Sequence, residues 1–159
     1  MGSERKILAR PDLIAQAQAW RARGERIVLA NGCFDILHVG HVRYLQGAAA
    51  LGARLVVAVN SDQSTRRLKG EGRPILDERG RAALVAAVRG VAAVTIFDEL
   101  SVEPLLRALR PDVHAKGTDY TAATVPEAAV ARELGVEVAI VGDPKDHSTQ
   151  ALLARLRAK

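Results

Sequence analysis

The sequence is short of the residues on which several functional classes depend. It has one cysteine, Cys33, so no internal disulfide can form, and a reducing cytoplasm is the expected compartment. Aromatic residues make up only 3% of the chain, too few to build a stacking platform for single-stranded nucleic acid. No run approaches the roughly 20 apolar residues of a membrane span, and the first residues lack the apolar core of a signal peptide. These absences predict a cytoplasmic protein that neither crosses a membrane nor binds nucleic acid.

What the chain does contain is a modest excess of positive charge. Its 159 residues include 23 lysines and arginines against 18 aspartates and glutamates, a formal net charge of +5. The excess suits an anionic ligand, although solubility alone would explain it. A basic nucleic-acid-binding module is the alternative from another functional class. Such a module should cluster its basic residues with aromatics, whereas the arginines here are spread along nearly every predicted helix.

Short apolar runs alternate with helical patterns along the chain. Their near-continuous apolar character is typical of strands buried on both faces of a parallel sheet. The predicted fold class is α/β, a Rossmann-like doubly wound five-stranded parallel sheet. We expect a single domain over 1–159, with an N-terminal helical extension (1–24) and a core (25–159). The strands are expected at residues 27–30, 55–59, 93–97, 112–115 and 136–141.

Polar segments follow these predicted strands where each one ends. In open α/β sheets, ligands bind outside the carboxyl ends of the strands, so the segments should meet at one edge. They include two histidines, a Lys-Gly pair and a Ser-Thr helix start, which is a larger set of potential ligand-binding groups than ordinary surface loops carry at one edge. The segments are residues 31–41, 60–62, 98–99, 116–120 and the stretch leading to 147–149.

The segment that follows the first strand predicts a phosphate site. A strand, a tight turn at Gly32 and a helix start would direct backbone N–H groups and a positive helix end at an anion. His38 and His41, three residues apart, fall on one face of the first helical turn, where the helix dipole favours their neutral form. Gly40 would allow a nucleotide base or ribose to lie against the helix, or else serve close helix–strand packing.

Zinc is the competing interpretation of neighbouring histidines, and the sequence argues against it. A structural zinc site needs four nitrogen or sulfur donors, and Cys33, His114 and His147 are scattered without a Cys-x-x-Cys pair. Cys33 is a weak candidate for a nucleophile because it lies in the turn, where only a small side chain is needed. His114 lies within a buried strand pattern and is expected to be a hydrogen-bonded core histidine.

Residues 32–41, GCFDILHVGH, resemble the G-x-F-D-x-x-H-x-G-H signature of the cytidylyltransferase-like nucleotidyltransferases. Within that superfamily the chain, from about residue 26 onward, is similar to the adenylyltransferases that make ADP-heptose for lipopolysaccharide. This second likeness is carried by residues 57–62, 67–70, 73–74 and 116–120. In that family the activity is often fused to a sugar-kinase domain, and no part of this sequence could form such a domain. The resemblance therefore implies a stand-alone form that works after a separate heptose kinase.

The resemblance also implies roles for particular residues. His38, His41 and Lys69 would be catalytic, with Lys69 brought over the phosphates by a mobile loop after the second strand. The sugar-phosphate candidates are Asn60, Asp62, Arg67 and Arg73. The nucleotide- and phosphate-binding set is Asn31, Gly32, Cys33, Phe34, Asp35, Gly40, Arg81, Lys116, Asp119, Ser148 and Thr149.

Two details of this pattern are open. The family usually has an apolar residue before the Ser-Thr pair and Thr or Ser after it, where this chain has His147 and Gln150. Asp35 would orient its neighbours or touch the metal, or else serve only as a carboxylate that caps the turn. Mg²⁺ is expected to be held mainly by the ATP phosphates, without dedicated protein ligands.

The implied reaction is transfer of AMP from ATP to a sugar 1-phosphate, D-glycero-β-D-manno-heptose 1-phosphate, with release of pyrophosphate. ATP and the sugar phosphate are the expected partners, and a homo-oligomer is expected. A cytidylyltransferase acting on glycerol 3-phosphate or ethanolamine phosphate is the nearest alternative. Adenylation of FMN is a more distant one.

Overall fold

The fold is described from a computed structural model over residues 2–144 and 148–158. A single turn of 3₁₀ helix, Glu4–Lys6, precedes a sheet of five parallel strands in the order β3-β2-β1-β4-β5. The strands are β1 Ile27–Gly32, β2 Arg54–Asn60, β3 Val91–Phe97, β4 Val113–Gly117 and β5 Glu137–Val141. The helices are α1 Arg10–Ala22, α2 Val39–Ala49, α3 Asp62–Lys69, α4 Glu78–Ala86, α5 Glu103–Leu109, α6 Ala128–Leu134 and α7 Thr149–Arg157. The predicted Rossmann-like α/β fold is therefore confirmed.

Alternating side chains of the strands divide the core into two layers. Val28 and Ala30 of β1 pack in one cluster with residues of α2 and α4, while Ile27 and Leu29 pack in another with α1, α5 and α6. Successive strand residues point to opposite faces, so a strand covered on both faces is apolar at every position. We call the two sides of the sheet the α2 side and the α5/α6 side.

The first helix packs closely against the sheet. Leu13, Ala17 and Trp20 of α1 recur at intervals of four and three residues, are buried, and pack in the α5/α6-side cluster. Pro11 lies in the first turn of α1, where its missing N–H leaves no hydrogen bond broken. The segment predicted as an extension thus contributes to the core.

The loop that was expected to carry Lys69 after the second strand begins as helix α3, Asp62–Lys69, so Lys69 lies at the end of a helix and that prediction was wrong. The Ser61 hydroxyl caps the helix by accepting from the Ser64 N–H at 3.1 Å. Ser64 and Thr65 are buried and hydrogen-bond to backbone carbonyls, including that of Phe97. Because the helix buries small hydroxyl residues, it lacks the apolar period by which a sequence reveals a helix.

Gly52, which ends the α2 segment, allows the chain to turn back into β2. A Cβ atom there would lie 2.8 Å from Val28 Cγ2 and 3.0 Å from the Arg26 carbonyl oxygen, so a larger residue would displace the backbone.

Among the described residues, no helix combines the length and apolar character that crossing a bilayer requires.

Candidate functional site

A cleft of about 610 Å³ lies at the carboxyl ends of the strands. Residues that follow β1, β2, β3, β4 and β5 line it together with the start of α7. The volume lies within the usual range of small-ligand sites, and the position is the one that parallel α/β sheets use for binding. Residues of the segments 31–41, 60–62, 116–120 and 148–149 meet there as the sequence predicted, whereas Asp98 and Glu99 do not line the cleft.

The two histidines at the start of α2 are held in a defined tautomer. His38 Nδ1 accepts from the Gly40 N–H at 3.1 Å, and His41 Nδ1 accepts from the His38 N–H at 3.3 Å. Their rings stack with centroids 3.9 Å apart. Because Nδ1 is an acceptor in both rings, the ring proton lies on Nε2, and both histidines are neutral donors through that atom. This agrees with the neutral form expected at a helix start.

Phe34 supports this pair from the protein side. It is buried, its φ of 50° lies in the left-handed region, and its ring meets the His41 ring edge-on at 5.4 Å. A Cβ at Gly32 would lie 3.2 Å from the Phe34 ring, so the glycine allows the ring to fold back against its own strand. The turn thereby holds His41 in position.

Asp35 fastens a loop to the turn. Its carboxylate accepts from the N–H groups of Ile75 and Leu76 at 2.9–3.0 Å and from Arg73 Nε at 2.6 Å. Burial alone would raise the pKa of the Asp35 carboxyl, but the two N–H groups and the Arg73 guanidinium outweigh it and hold the pKa below its usual range. These contacts fit the orienting role among those that the sequence left open.

Arg81 lies beneath the cleft and does not line it. Its side chain is fully buried, and it donates to the carbonyl oxygens of Cys33 at 2.6 Å, Asn60 at 2.7 Å and Leu76 at 2.9 Å. It also pairs with Asp62 Oδ1 at 2.8 Å. The guanidinium expected to bind phosphate instead ties the turn after β1 to the end of β2 and the loop before α4.

The start of α7 is also attached to the β1 turn. Ser148 caps the helix by accepting from the Ala151 N–H at 3.1 Å, and the Thr149 hydroxyl donates to the Asp35 carbonyl at 2.8 Å. Both residues line the cleft together with Gln150. His147, the unusual residue before them, lies outside the described residues.

The α5/α6 side carries a buried ion pair. Lys116 Nζ lies 3.6 Å from Glu127 Oε2 and 4.7 Å from the centroid of the Tyr120 ring. Burial lowers the pKa of the Lys116 ammonium, against the opposing effect of the Glu127 carboxylate. Lys116 was expected at the site, whereas Glu127 was not.

His114 is the core histidine that the sequence predicted, and it orients a cleft residue. Its Nε2 lies 2.9 Å from Asn31 Oδ1. Burial, with a smaller contribution from the positive charge of Lys116, lowers the pKa of His114 to about 3. The ring is therefore neutral and positions the Asn31 amide.

Most of the predicted site residues line the cleft. Asp62, Arg67 and Arg81 do not: Asp62 pairs with the buried Arg81, and Arg67 donates to the Asp98 carbonyl at 3.0 Å. Those that line the cleft are Asn31, Gly32, Cys33, Phe34, Asp35, His38, Gly40, His41, Asn60, Lys69, Arg73, Lys116, Asp119, Ser148 and Thr149.

Sequence reasoning missed several lining residues, including Tyr44, Tyr120, Glu127 and Gly142. Only Tyr120 had a local signal, since it ends the polar segment that follows β4. Tyr44 and Glu127 reach the cleft through packing between elements that are distant in sequence. No three histidine, cysteine or carboxylate side chains of the described residues are grouped closely enough to hold a metal ion.

Comparisons with known proteins agree with this geometry. Residues 29–153 match the model of a family described as cytidylyltransferase-like. The chain is 44% identical over 151 residues to the bifunctional protein HldE of Methylobacillus flagellatus, covering 95% of this chain and 31% of that protein. It is 46% identical over 158 residues to the protein of the same name in Pseudomonas aeruginosa, covering 99% and 33%. The chain spans about a third of the length of the curated relatives it matches.

A solved structure is also similar. It is the lipopolysaccharide core biosynthesis protein from Thermoplasma volcanium, with a TM-score of 0.65 and 31% sequence identity. The match covers 77% of this chain and all of the other.

Proposed function

Because the chain belongs to the cytidylyltransferase-like family, we propose that this nucleotidyltransferase transfers AMP from ATP to a sugar 1-phosphate, D-glycero-β-D-manno-heptose 1-phosphate. The observation that carries the proposal is the pair of Nε2–H donors at the start of α2, in a cleft large enough for two small substrates. The resemblance to the ADP-heptose-forming enzymes supports the heptose acceptor. So does the name of the Thermoplasma volcanium protein, which concerns lipopolysaccharide core biosynthesis.

The reaction requires no covalent enzyme intermediate. An oxygen of the sugar phosphate attacks the α-phosphorus of ATP, the new O–P bond forms, and the bond to the bridging oxygen of the β-phosphate breaks. Pyrophosphate leaves with the electron pair. The attacking phosphate is already an anion, so no general base is needed, and catalysis rests on positioning and charge neutralisation.

His38 and His41 line the cleft and would donate to the phosphates as charge develops on them. The amides at the α2 and α7 starts and the ammonium of Lys69 add positive potential along the cleft. Lys116 supplies a further positive charge on the other side. The two histidines and the two lysines would each interact through a side chain that lines the cleft.

Magnesium enters as part of the MgATP substrate. The Asp35 carboxylate already accepts from Arg73 and two backbone N–H groups, so it fits a structural role better than metal binding. Mg²⁺ held by the triphosphate would help to neutralise the departing pyrophosphate.

The reaction belongs in the cytoplasm, where ATP is made, and its acceptor must come from a kinase reaction that precedes it. A homo-oligomer stays a prediction, to be checked by sedimentation.

The second candidate is cytidylyl transfer to glycerol 3-phosphate, which the description of the matched family favours. Both functions are tested by measuring pyrophosphate release with ATP or CTP and a panel of acceptors. The panel contains both anomers of the heptose 1-phosphate, glucose 1-phosphate and glycerol 3-phosphate. We expect turnover with ATP and the β-anomer of the heptose phosphate. Turnover with CTP and glycerol 3-phosphate alone would establish the second candidate in place of the first.

A further inference from the structure

His114 is a fully buried histidine that the reaction described above does not use. It lies in β4, the strand beside β1, and its Nε2 atom is 2.9 Å from Oδ1 of Asn31. Its Nδ1 atom is enclosed and has no hydrogen-bond partner among the described residues. Burial keeps the ring neutral, so the ring carries a single proton.

The position of that proton determines the orientation of the Asn31 amide. With the proton on Nε2, the ring donates to Oδ1 of Asn31, and only a lone pair at Nδ1 stays unpaired. The reverse arrangement would turn the amide over and put the proton on Nδ1, where an enclosed N–H would have no acceptor. Unpaired N–H groups are rarer inside proteins than unpaired acceptors, so the first arrangement is favoured.

This arrangement leaves the amide nitrogen of Asn31 for the cleft. Asn31 is half-buried and lines the cleft. Among the described residues its side chain is bonded only through Oδ1, and Nδ2 is not one of the enclosed atoms that lack a partner there. An amide nitrogen donates hydrogen bonds and does not accept them, so the ligand group beside it must be an acceptor, such as a phosphate oxygen.

Asn31 lies between the residues expected to hold the two substrates. Leu29 of β1 packs on the α5/α6 side, so Asn31, two residues further on, points to that side. By the same alternation, Asn60 at the end of β2 and Lys116 near the end of β4 point there too. β1 lies between β2 and β4 in the sheet. The resemblance assigned Asn60 to the sugar phosphate and Lys116 to the nucleotide, so Asn31 is placed where these two halves of the cleft meet.

The group that passes between the substrates is the α-phosphoryl group of ATP. Its phosphorus must come within about 3–3.5 Å of the attacking oxygen, so it has to lie at the boundary between the two substrates. A donor fixed there before ATP binds would act on the oxygens of this group as the bonds to phosphorus change.

We propose that Asn31 donates from Nδ2 to a non-bridging oxygen of the α-phosphoryl group, and that His114 is the positioning residue that holds the amide in this orientation. The proposal rests on the nucleotidyl transfer proposed above. His114 does not touch the substrate and acts only through Asn31. This role accounts for a buried histidine at a strand position whose neighbours, Val113 and Ala115, are apolar.

The first test is the kinetics of single variants with each substrate varied separately. Asn31→Ala should lower kcat roughly 10- to 100-fold, as expected for a lost hydrogen bond to a charged group. KM for either substrate should change less than about twofold, because the interaction is made mainly in the transition state. His114→Leu leaves the amide free to turn over, so kcat should fall by a smaller factor, roughly 2- to 10-fold. His114→Gln keeps an N–H donor and should retain most of the wild-type kcat.

Thr95→Val is the matched control for His114→Leu. Thr95 is buried on the same side of the sheet, its hydroxyl also lacks a hydrogen-bond partner among the described residues, and it does not line the cleft. Replacing it by an apolar residue should leave kcat unchanged. If His114→Leu does not fold, His114→Met takes its place, since it also fills the site without an N–H group.

The decisive test is a double-mutant cycle between the two residues. If His114 acts only through Asn31, His114→Leu should have no further effect on kcat in an Asn31→Ala background. A merely structural role would lower kcat by the same factor in both backgrounds. That result would overturn the proposal, and so would an unchanged kcat in folded His114→Leu or folded Asn31→Ala.

Failure of the proposed function is a different result, since the wild type would then show no transfer of AMP to any sugar phosphate. The cycle would in that case be measured with CTP and glycerol 3-phosphate. Cytidylyl transfer also moves an α-phosphoryl group, so the same loss of the His114→Leu effect in the Asn31→Ala background is expected there.

Discussion

The two sides of the cleft differ in how far the protein satisfies its own polar groups. On the α2 side, Nδ1 of both histidines and the Asp35 carboxylate accept backbone N–H groups. On the α5/α6 side, His114 Nδ1 and Glu127 Oε2 have no hydrogen-bond partner among the described residues. The first side is therefore organised before substrate arrives, whereas the second holds two buried atoms without a hydrogen-bond partner among the described residues.

For the histidine pair, local sequence explains the difference. The histidine pair is built from neighbours within one turn and a helix start, so its hydrogen bonds form whenever α2 forms. The other side is assembled from β1, β4 and the turn before α6. Its side chains come from separate elements, so no local backbone geometry aligns one with another. Substitutions on each side should accordingly differ in kind.

The largest effect is expected on the organised side. His41→Ala removes one donor to the developing charge, and kcat should fall roughly 10²- to 10³-fold, as when one oxyanion donor is lost. Steady-state kinetics at saturating ATP measures this, and circular dichroism should show an intact fold. Gln46→Ala, an exposed change on the same helix, is the control. Unchanged turnover in His41→Ala would contradict the role of the histidine.

Asp35→Asn should release the loop at residues 73–76 from the turn. The change places a side-chain NH₂ group, itself a donor, where the carboxylate accepted from Arg73 and from the N–H groups of Ile75 and Leu76. Leaving these donors unpaired should lower the free energy of unfolding at pH 7 by about 1–3 kcal/mol. Urea titration of both proteins measures the difference.

The pH dependence of that difference has a defined sign. The pKa of the Asp35 carboxyl is lowered below 3.8 in the folded protein, so its stabilisation is present above the unfolded pKa and lost as pH falls through the folded one. Wild type and Asp35→Asn should therefore converge in acid. Asp12→Asn, exposed on α1, is the control substitution.

His114 provides a matching test on the α5/α6 side. Its pKa is about 3 in the folded protein, below the ordinary 6.5, so the unfolded chain binds the extra proton between these values. Stability should fall as pH drops below about 6.5, by at most roughly 1.4 kcal/mol per pH unit from this residue. His114→Gln keeps a donor for Asn31 and should reduce that slope in urea titrations at pH 7, 6 and 5. Equal slopes would show that His114 does not titrate in this way.

The smallest effect concerns the α7 start. Ser148→Ala removes the cap and should cost about 1 kcal/mol in the free energy of unfolding. Ser148→Asp retains a capping oxygen but adds a negative charge to the cleft, so it should preserve stability while raising KM for ATP. If Ser148→Asp leaves KM for ATP unchanged, the triphosphate does not approach α7.

The sequence predicted the fold from local features, which do not depend on which other segments pack against them. Five strands, their order of appearance and the helix start at Ser148 follow from apolar runs and caps, and the structure confirms them, although β5 is exposed or half-buried along its length and not buried on both faces. It failed at α3, where Ser64 and Thr65 are buried through hydrogen bonds that have no apolar signature. The catalytic and binding roles of the lining residues stay predictions.

Arg81 shows where local reasoning ends. Its residue type and its place at a helix start suit a phosphate ligand, yet its guanidinium bonds to Cys33, Asn60, Leu76 and Asp62. Three different segments supply these partners, and only their packing together decides which way an arginine points.

The sequence by itself determined the parallel sheet, the edge at which polar segments meet and the histidine pair, because each depends on residues close together in the chain. Tertiary structure alone decided that Arg81 is buried beneath the cleft, that Asp35 holds a loop, and that Glu127 meets Lys116. Those contacts join residues 11 to 48 positions apart, and their geometry depends on how strands and helices pack rather than on any local preference.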